Sequence, residues 1–458
     1  MAAIDLAGLM GAAPGHGGTW SLTDVFAARL ALFLAYARDN APLLGLDGVL
    51  GEGPLDAADV VAVAPRTASA LGMDGDAFGE YASSIAPADM ARVLASGGIE
   101  PGTLVLTGDP EVDSRVRRAL DLLEDIGQDE RHQTFLPEAE LVAGVLLACG
   151  PATGSARRLC DPMCGHGGLL VRLHRTSGGT WPKMAATDVD AASVAITSIR
   201  LLVEGYRGGF ENVRQADSLS SDDGLNGVFD VIACEARHAA GRRGMRSAVD
   251  PRFLSEMTGR PWTKVDVEGL ALLRVAGLLA DGGTAVVLTT TAATYALAQT
   301  GLRQYLVENG LVEACVEVPR RLPSSRQTGL TMWVLSRGGG GDKGVLLVVL
   351  DGDGLERERP GFYAPGSSIK ESARWLGGLV SSRREVPFMS MVVPKDVILA
   401  APGSPLRFSG YAGNIDVASR LAGGLAADEI AMRRRAALAE LASAEDELSR
   451  ACHEFRDN

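Results

Sequence analysis

The run Arg158-Leu-Cys-Asp-Pro-Met-Cys-Gly-His-Gly-Gly-Leu-Leu170 has the residue types to hold a small polar ligand. It reads as a short buried strand ending at Asp161, a tight turn, and the start of a helix. Gly165, Gly167 and Gly168 let the backbone approach a ligand where a Cβ would obstruct it. A helix starting just past them points unpaired N–H groups into the same crevice. In a parallel α/β sheet that crevice lies at the carboxyl ends of the strands, where nucleoside-containing cofactors bind. Two later runs also end in acids. Asp188 closes the apolar stretch from Met184, and Asp217 follows the run from Asn212. Asp188 suits hydrogen bonds from ribose hydroxyls, because Asp190 is better placed to cap the next helix.

These groups need a sheet to carry them. After Asp161 the pattern predicts a second strand at Met184–Asp190, a helix from Ala191 to about Glu204, and a third strand from Asn212. Phe229–Glu235 is a continuous apolar run, as in a strand buried on both faces. A helix around Glu268–Leu279 precedes Gly282-Gly283, read as its C-cap. Thr284–Thr289 is a fifth strand and Leu302–Glu308 a helix. Val312–Val318 and Gly329–Ser336 read as an antiparallel pair, with Gly344–Asp351 as a further edge strand. Strands alternating with helices over 155–300 predict an α/β fold with a doubly wound parallel sheet. Before it, Ser21 to Asp24 starts a helix running to about Arg38, and more helices are expected from 55 to 128. The expected division is 1–128 helical, 129–351 the α/β core, and 352–458 a mixed region. That last region ends in a coiled-coil-like stripe of Ala437, Leu441, Ala444, Leu448, Ala451 and Phe455. The stripe fits a partner, a second copy, or packing on its own domain.

Composition narrows the classes. The chain has 458 residues, 46 % of them hydrophobic, with a net charge of −13. No apolar run reaches membrane-spanning length. No basic stretch followed by an apolar core opens the chain, so a cytoplasmic protein is expected. The six cysteines lack paired or metal-type spacing, and no metal is expected. A protein that binds DNA across a broad face by itself is usually basic. Any nucleic-acid contact here needs a local patch or a partner. Such a patch exists in the sequence: Arg237, Arg242, Arg243, Arg246, Arg252 and Arg260, with Trp262 at its edge. Clustered arginines suit phosphate contacts, which position without specifying. A solvated loop gives the same pattern.

At this point the residues resemble a known family. Asp161-Pro-Met-Cys-Gly-His-Gly-Gly-Leu-Leu170 is similar to the Asp-Pro-x-Cys-Gly-Thr-Gly-Gly-Phe-Leu motif of adenine-N6 DNA methyltransferases. The best match is the modification (M) subunit of type I restriction–modification systems. Gln133-Thr-Phe-Leu-Pro137 stands where that family has Gln-x-Phe-Thr-Pro, and Phe229–Ala233 matches the strand before its catalytic loop. The resemblance runs from about Gln133 to Asp351. It implies a Rossmann-like S-adenosylmethionine-dependent methyltransferase core with a helical N-terminal domain and a helical C-terminal tail. S-adenosylmethionine would be the cofactor. Asp161, Gly165 and Gly167, with Pro162 and His166 in the same turn, would line its methionine part. Phe135 and Pro137 would close that end. Asp188 would hold the ribose, and Asp217 with Ser218 the adenine. A separate specificity subunit would supply sequence recognition.

The sequence departs from the family at the catalytic loop. There the family has Asn-Pro-Pro-Phe, whose amide and first carbonyl accept hydrogen bonds from the target amino group and whose ring stacks on the flipped base. Here Cys234-Glu-Ala-Arg237 stands in its place, followed by His238. Leu136 and His166 replace threonines of the two other motifs. Three readings stay open. Glu235 takes over the acceptor role and methylation continues. The chain is a non-catalytic, DNA-associated subunit. Or the pocket serves a small molecule or peptide, with Glu235 and His238 as bases.

Overall fold

A computed structural model gives the fold. It describes residues 21–51, 56–96, 136–150, 157–179, 183–219, 226–236, 265–318, 329–338, 343–350 and 368–412, and scattered positions between them (114, 116–121, 123, 181, 255, 258, 259, 261, 355, 356, 358, 359, 362).

Helix α1 (Leu22–Asp39) starts on a reciprocal cap: the Asp24 N–H donates to the Ser21 hydroxyl and the Ser21 N–H to the Asp24 carboxylate. Residues 27–38 are all buried, so this helix is enclosed on every side. After the short α2 (Ala41–Leu44) come α3 (Ala57–Ala70), α4 (Gly75–Ser83) and α5 (Pro87–Ser96). These N-terminal helices are fastened to the α/β part of the chain. The Gln215 N–H donates to Asp74 at 2.9 Å, and Arg175 forks onto Asp121 at 2.9 and 3.1 Å while also meeting Glu204. One hydrophobic core runs unbroken from Val25 to the main sheet.

The α/β part has the order α6 (Leu136–Cys149), β1 (Arg158–Asp161), α7 (Gly168–Thr176), β2 (Lys183–Asp188), α8 (Ala191–Val203), β3 (Val213–Gln215), β4 (Phe229–Glu235), α9 (Val267–Leu278), β5 (Leu279–Thr290), α10 (Thr300–Glu308), β6 (Val312–Val318), β7 (Leu330–Ser336), β8 (Val345–Val349), α11 (Ile369–Ser381), β9 (Ser390–Val393) and α12 (Lys395–Ala400). The sheet order among described residues is β3-β2-β1-β4-β5-β7-β6-β8-β9. The first five strands are parallel, and β7 runs against both β5 and β6. The chain moves outward one way from β1 and the other way from β4. A crevice therefore opens at the carboxyl ends of these two strands. Alternate strand residues feed two cores. Leu159, Ala186 and Ala233 face α6, α7, α8 and α11, whereas Cys160, Ile232 and Cys234 face α9 and α10. The doubly wound parallel core is as the sequence predicts.

Three local expectations change. Gly282-Gly283 does not cap α9, whose last turn passes straight into β5 at Leu279. The pair forms a bulge inside that strand, where the register jumps from Phe229–Leu279 to Val231–Thr284. A Cβ on Gly283 would crowd the carbonyls of Phe229 and Asp230, so glycine there permits close strand approach. β8 is not an edge: β6 pairs with it on one side and β9 on the other. The mixed region also supplies α11, which crosses α6 so closely that a Cβ on Gly144 would overlap Ala373 and one on Gly377 would overlap the Gly144 carbonyl. The Ala437–Phe455 stripe lies outside the described residues.

Candidate active site

The glycine turn sits at the tip of β1, as the sequence implies. Asp161 ends the strand almost fully buried, and its carboxylate accepts the Met163 N–H at 3.1 Å. Gly165 and Gly167 have φ of 50° and 74°, left-handed values that other residues adopt only with strain. Gly167 then caps α7 with no side-chain hydrogen bond to the helix's first amides. The turn is held from outside. The Gly165 N–H donates to Asp188 Oδ2 at 3.0 Å, and the Thr197 hydroxyl donates to the Gly165 carbonyl at 2.8 Å. Arg200 donates to the His166 carbonyl at 2.6 Å. The hydroxyls of Thr187 and Ser218 converge on the Pro162 carbonyl at 3.0 and 2.6 Å. Ser218 thus fixes the turn itself, while its own carbonyl accepts from buried Arg274 at 2.9 Å.

Asp188 ends β2, and its Oδ1 accepts the Asp190 N–H at 3.0 Å. Asp190 caps α8 through Ser193, as the sequence suggests. A carboxylate has about four lone-pair sites, so Asp188 can hold these backbone groups and accept a ribose hydroxyl as well. Asp217 stands just past β3 with the Leu219 N–H on Oδ1 at 3.0 Å. Glu235 ends β4, buried, on the same sheet face as Asp161 and Asp188. Burial above all, then Asp188 and Glu235, raises the Asp161 carboxyl well above the usual carboxylate range. Cys234 points to the opposite core. It is fully buried and its thiol is pushed well up, first by burial, so it does not join Glu235 in the crevice. His166 is buried within the turn. Phe135, Arg237, His238, Arg242, Arg243 and Arg246 lie outside the described residues, as do Arg252, Arg260 and Trp262. Pro137 lies in the first turn of α6.

Sequence reading missed Thr197 and Arg200, which grip the turn from below. The signal for them was polar residues set within an otherwise apolar helix. It also missed Glu268, at the start of α9, which accepts the Thr290 N–H at 2.8 Å and its hydroxyl at 2.7 Å, tying α9 to the tip of β5. Burial, its largest cause, pushes this carboxyl up to about 7. A folded-state pKa above the unfolded value means the contribution to stability is complete below about pH 4.5. It is lost as pH rises to about 7. Glu268→Gln removes that dependence. Urea melts at pH 5 and pH 8 are expected to shift in favour of the variant at the higher pH, by an amount on the order of 2 kcal/mol. Equal differences at the two pH values would contradict it.

A glycine turn after β1, acids at the ends of β2 and β3, and this strand order define a class I S-adenosylmethionine-dependent methyltransferase fold. Residues 133–358 match the model of the N-6 DNA Methylase family, a match that implies S-adenosylmethionine as the methyl donor. The chain is similar in fold to the type I restriction-modification methyltransferase subunit from Streptococcus thermophilus, with a TM-score of 0.64 and 13% identity over 88% of this chain and 98% of the other. A chain from structural work on complex assembly and conformational transition of the type I R-M system gives a TM-score of 0.57 and 14% identity, covering 94% of this chain and 93% of that one. No curated protein matches the sequence. Among the described residues no helix is long and apolar enough to cross a membrane, and no group of His, Cys, Asp and Glu could hold a metal ion.

Proposed function

We propose that this chain transfers a methyl group from S-adenosylmethionine to the amino group of a DNA adenine, as the modification subunit of a larger complex. Support comes first from Glu235, a carboxylate at the end of β4 on the face of Asp161 and Asp188, within the segment that stands in place of the family's Asn-Pro-Pro-Phe. The donor supplies an electrophilic methyl group when bound. Asp188 holds the ribose, Asp217 receives the cofactor's adenine amine, and the turn at Gly165–Gly167 takes the methionine part. Glu235 accepts a hydrogen bond from the target amino group and takes the proton that the nitrogen gives up as its new bond to carbon forms. The arginines at 237–246 contact phosphate, and a specificity subunit or a second copy engages the Ala437–Phe455 stripe.

The test has two stages. Calorimetry with S-adenosylmethionine establishes the pocket; no heat of binding removes the reading. Transfer of radiolabelled methyl to duplex and single-stranded DNA then establishes the chemistry. Glu235→Ala is expected to lower transfer by about 100-fold or more. Single-stranded DNA is expected to be the better substrate, since Cys234-Glu-Ala-Arg237 carries no ring to stack on a flipped base and flipping from a duplex costs a few kcal/mol. A second reading has its own observation, the loss of the whole Asn-Pro-Pro-Phe motif: a subunit that binds cofactor and DNA without catalysis. Cofactor binding with no transfer to DNA or to nuclease-treated extract would favour it. Transfer to the treated extract alone would point to a small-molecule or peptide substrate.

A further inference from the structure

The registers of β1 with its two neighbours place three carboxyls in one arch. Asp161 stands beside Ala186 on β2, and Asp188 lies two residues further along that strand. On the other side Cys160 is level with Ile232, so Ala233 falls level with Asp161 and Glu235 lies two residues beyond it. Side chains two apart in a strand share a face. Asp188 and Glu235 therefore flank the tip of β1 at matching heights, one on each side, above the turn that Asp188 ties through Gly165. Both act electrostatically on Asp161 between them. In the segment that stands for the family's Asn-Pro-Pro-Phe, this chain has a group able to carry a full negative charge.

We propose that Glu235 makes these strand ends selective for a positively charged methyl donor over the neutral product left after transfer. The proposal rests on the cofactor reading above. The donor's sulfonium carries one positive charge, and the thioether remaining after methyl transfer carries none. Carboxylates crowded at a half-dry strand edge repel one another, and a cation among them relieves that repulsion while a neutral ligand of the same shape does not. Asparagine at this position offers only a dipole. The consequence is a site in which fresh donor displaces spent product readily.

Calorimetry on the full chain with three ligands tests this: S-adenosylmethionine, S-adenosylhomocysteine, and the analogue with a protonated amine in place of the sulfonium. The wild type is expected to bind both cations at least about tenfold more tightly than the neutral thioether. Glu235→Gln and Glu235→Asn are expected to lose most of that ratio through weaker cation binding, with thioether affinity held within about threefold. Tight binding of the amine analogue shows that charge, not the methyl group, is read. An unchanged ratio in both variants overturns the proposal, and so does an equal loss for all three ligands, which would mark Glu235 as structural. If the wild type binds all three equally, the proposal falls and the cofactor reading stands. If it binds none, both fall.

Discussion

Gly167→Val is expected to abolish measurable S-adenosylmethionine binding and to destabilise the fold. Two independent effects add. Gly167 has a φ of 74°, where an L side chain costs roughly 1–2 kcal/mol and a β-branched one more. A Cβ there would also lie 2.9 and 3.0 Å from the Thr197 side chain, and Thr197 cannot retreat because its hydroxyl donates to the Gly165 carbonyl. Overpacking of this kind costs about 1–3 kcal/mol. Relief can come only from moving the turn off α8, which displaces the amides that open α7. A graded series separates the two effects. Asparagine tolerates left-handed backbone better than alanine but carries the same Cβ. Gly167→Asn should therefore exceed Gly167→Ala in stability by the backbone part alone, and both should bind cofactor poorly. Wild-type affinity in Gly167→Ala would refute the account.

The second large effect is at Arg303, on the far side of the sheet. Its guanidinium is fully buried and donates to four main-chain carbonyls: Ser404 at 3.0 Å, Ala293 at 2.9 Å, Ala296 at 3.0 Å and Gly403 at 2.6 Å. Burial, the first cause, lowers its pKa to about 10, which still leaves it charged at neutral pH. These bonds fasten the turn beyond β5 to the segment at 401–406, where the Leu406 N–H also reaches the Thr294 carbonyl at 2.9 Å. Arg303→Ala removes a donor from four carbonyls, of which that of Ala296 still accepts the Gln299 N–H, and opens a cavity, so a loss of about 3–5 kcal/mol in denaturant unfolding is expected. Arg303→Met fills the space without donating. It should recover only the packing share. A loss below about 1 kcal/mol in Arg303→Ala would show that water replaces the guanidinium.

The departure from the family's Asn-Pro-Pro-Phe is legible in the residue order alone, since Cys234-Glu-Ala-Arg237 has no amide, proline or aromatic ring. What the residue types could not say is which of them face the crevice. Strand alternation decides that: Glu235 falls on the face of Asp161, and Cys234 falls among Ile232 and Ala236 in the other core. The same holds for Ser218. As a residue next to an acid at a strand tip it reads as a ligand contact, yet its hydroxyl is spent on the Pro162 carbonyl.

By itself the sequence determined the local grammar: the Ser21 cap, the strand ends at Asp161 and Glu235, the glycine turn between strand and helix, and the Asp190 cap. Each rests on residues a few positions apart, whose periodicity, capping and backbone preference act within one turn or one strand. Only the tertiary structure decided that β8 is interior, that Gly282-Gly283 bulges rather than caps, that Thr197 and Arg200 hold the turn, and that Glu268 and Arg303 brace the end of β5. Those outcomes depend on which distant segments pair, and pairing is set by burying whole faces and satisfying main-chain groups across long stretches of chain, a sum that no short window contains.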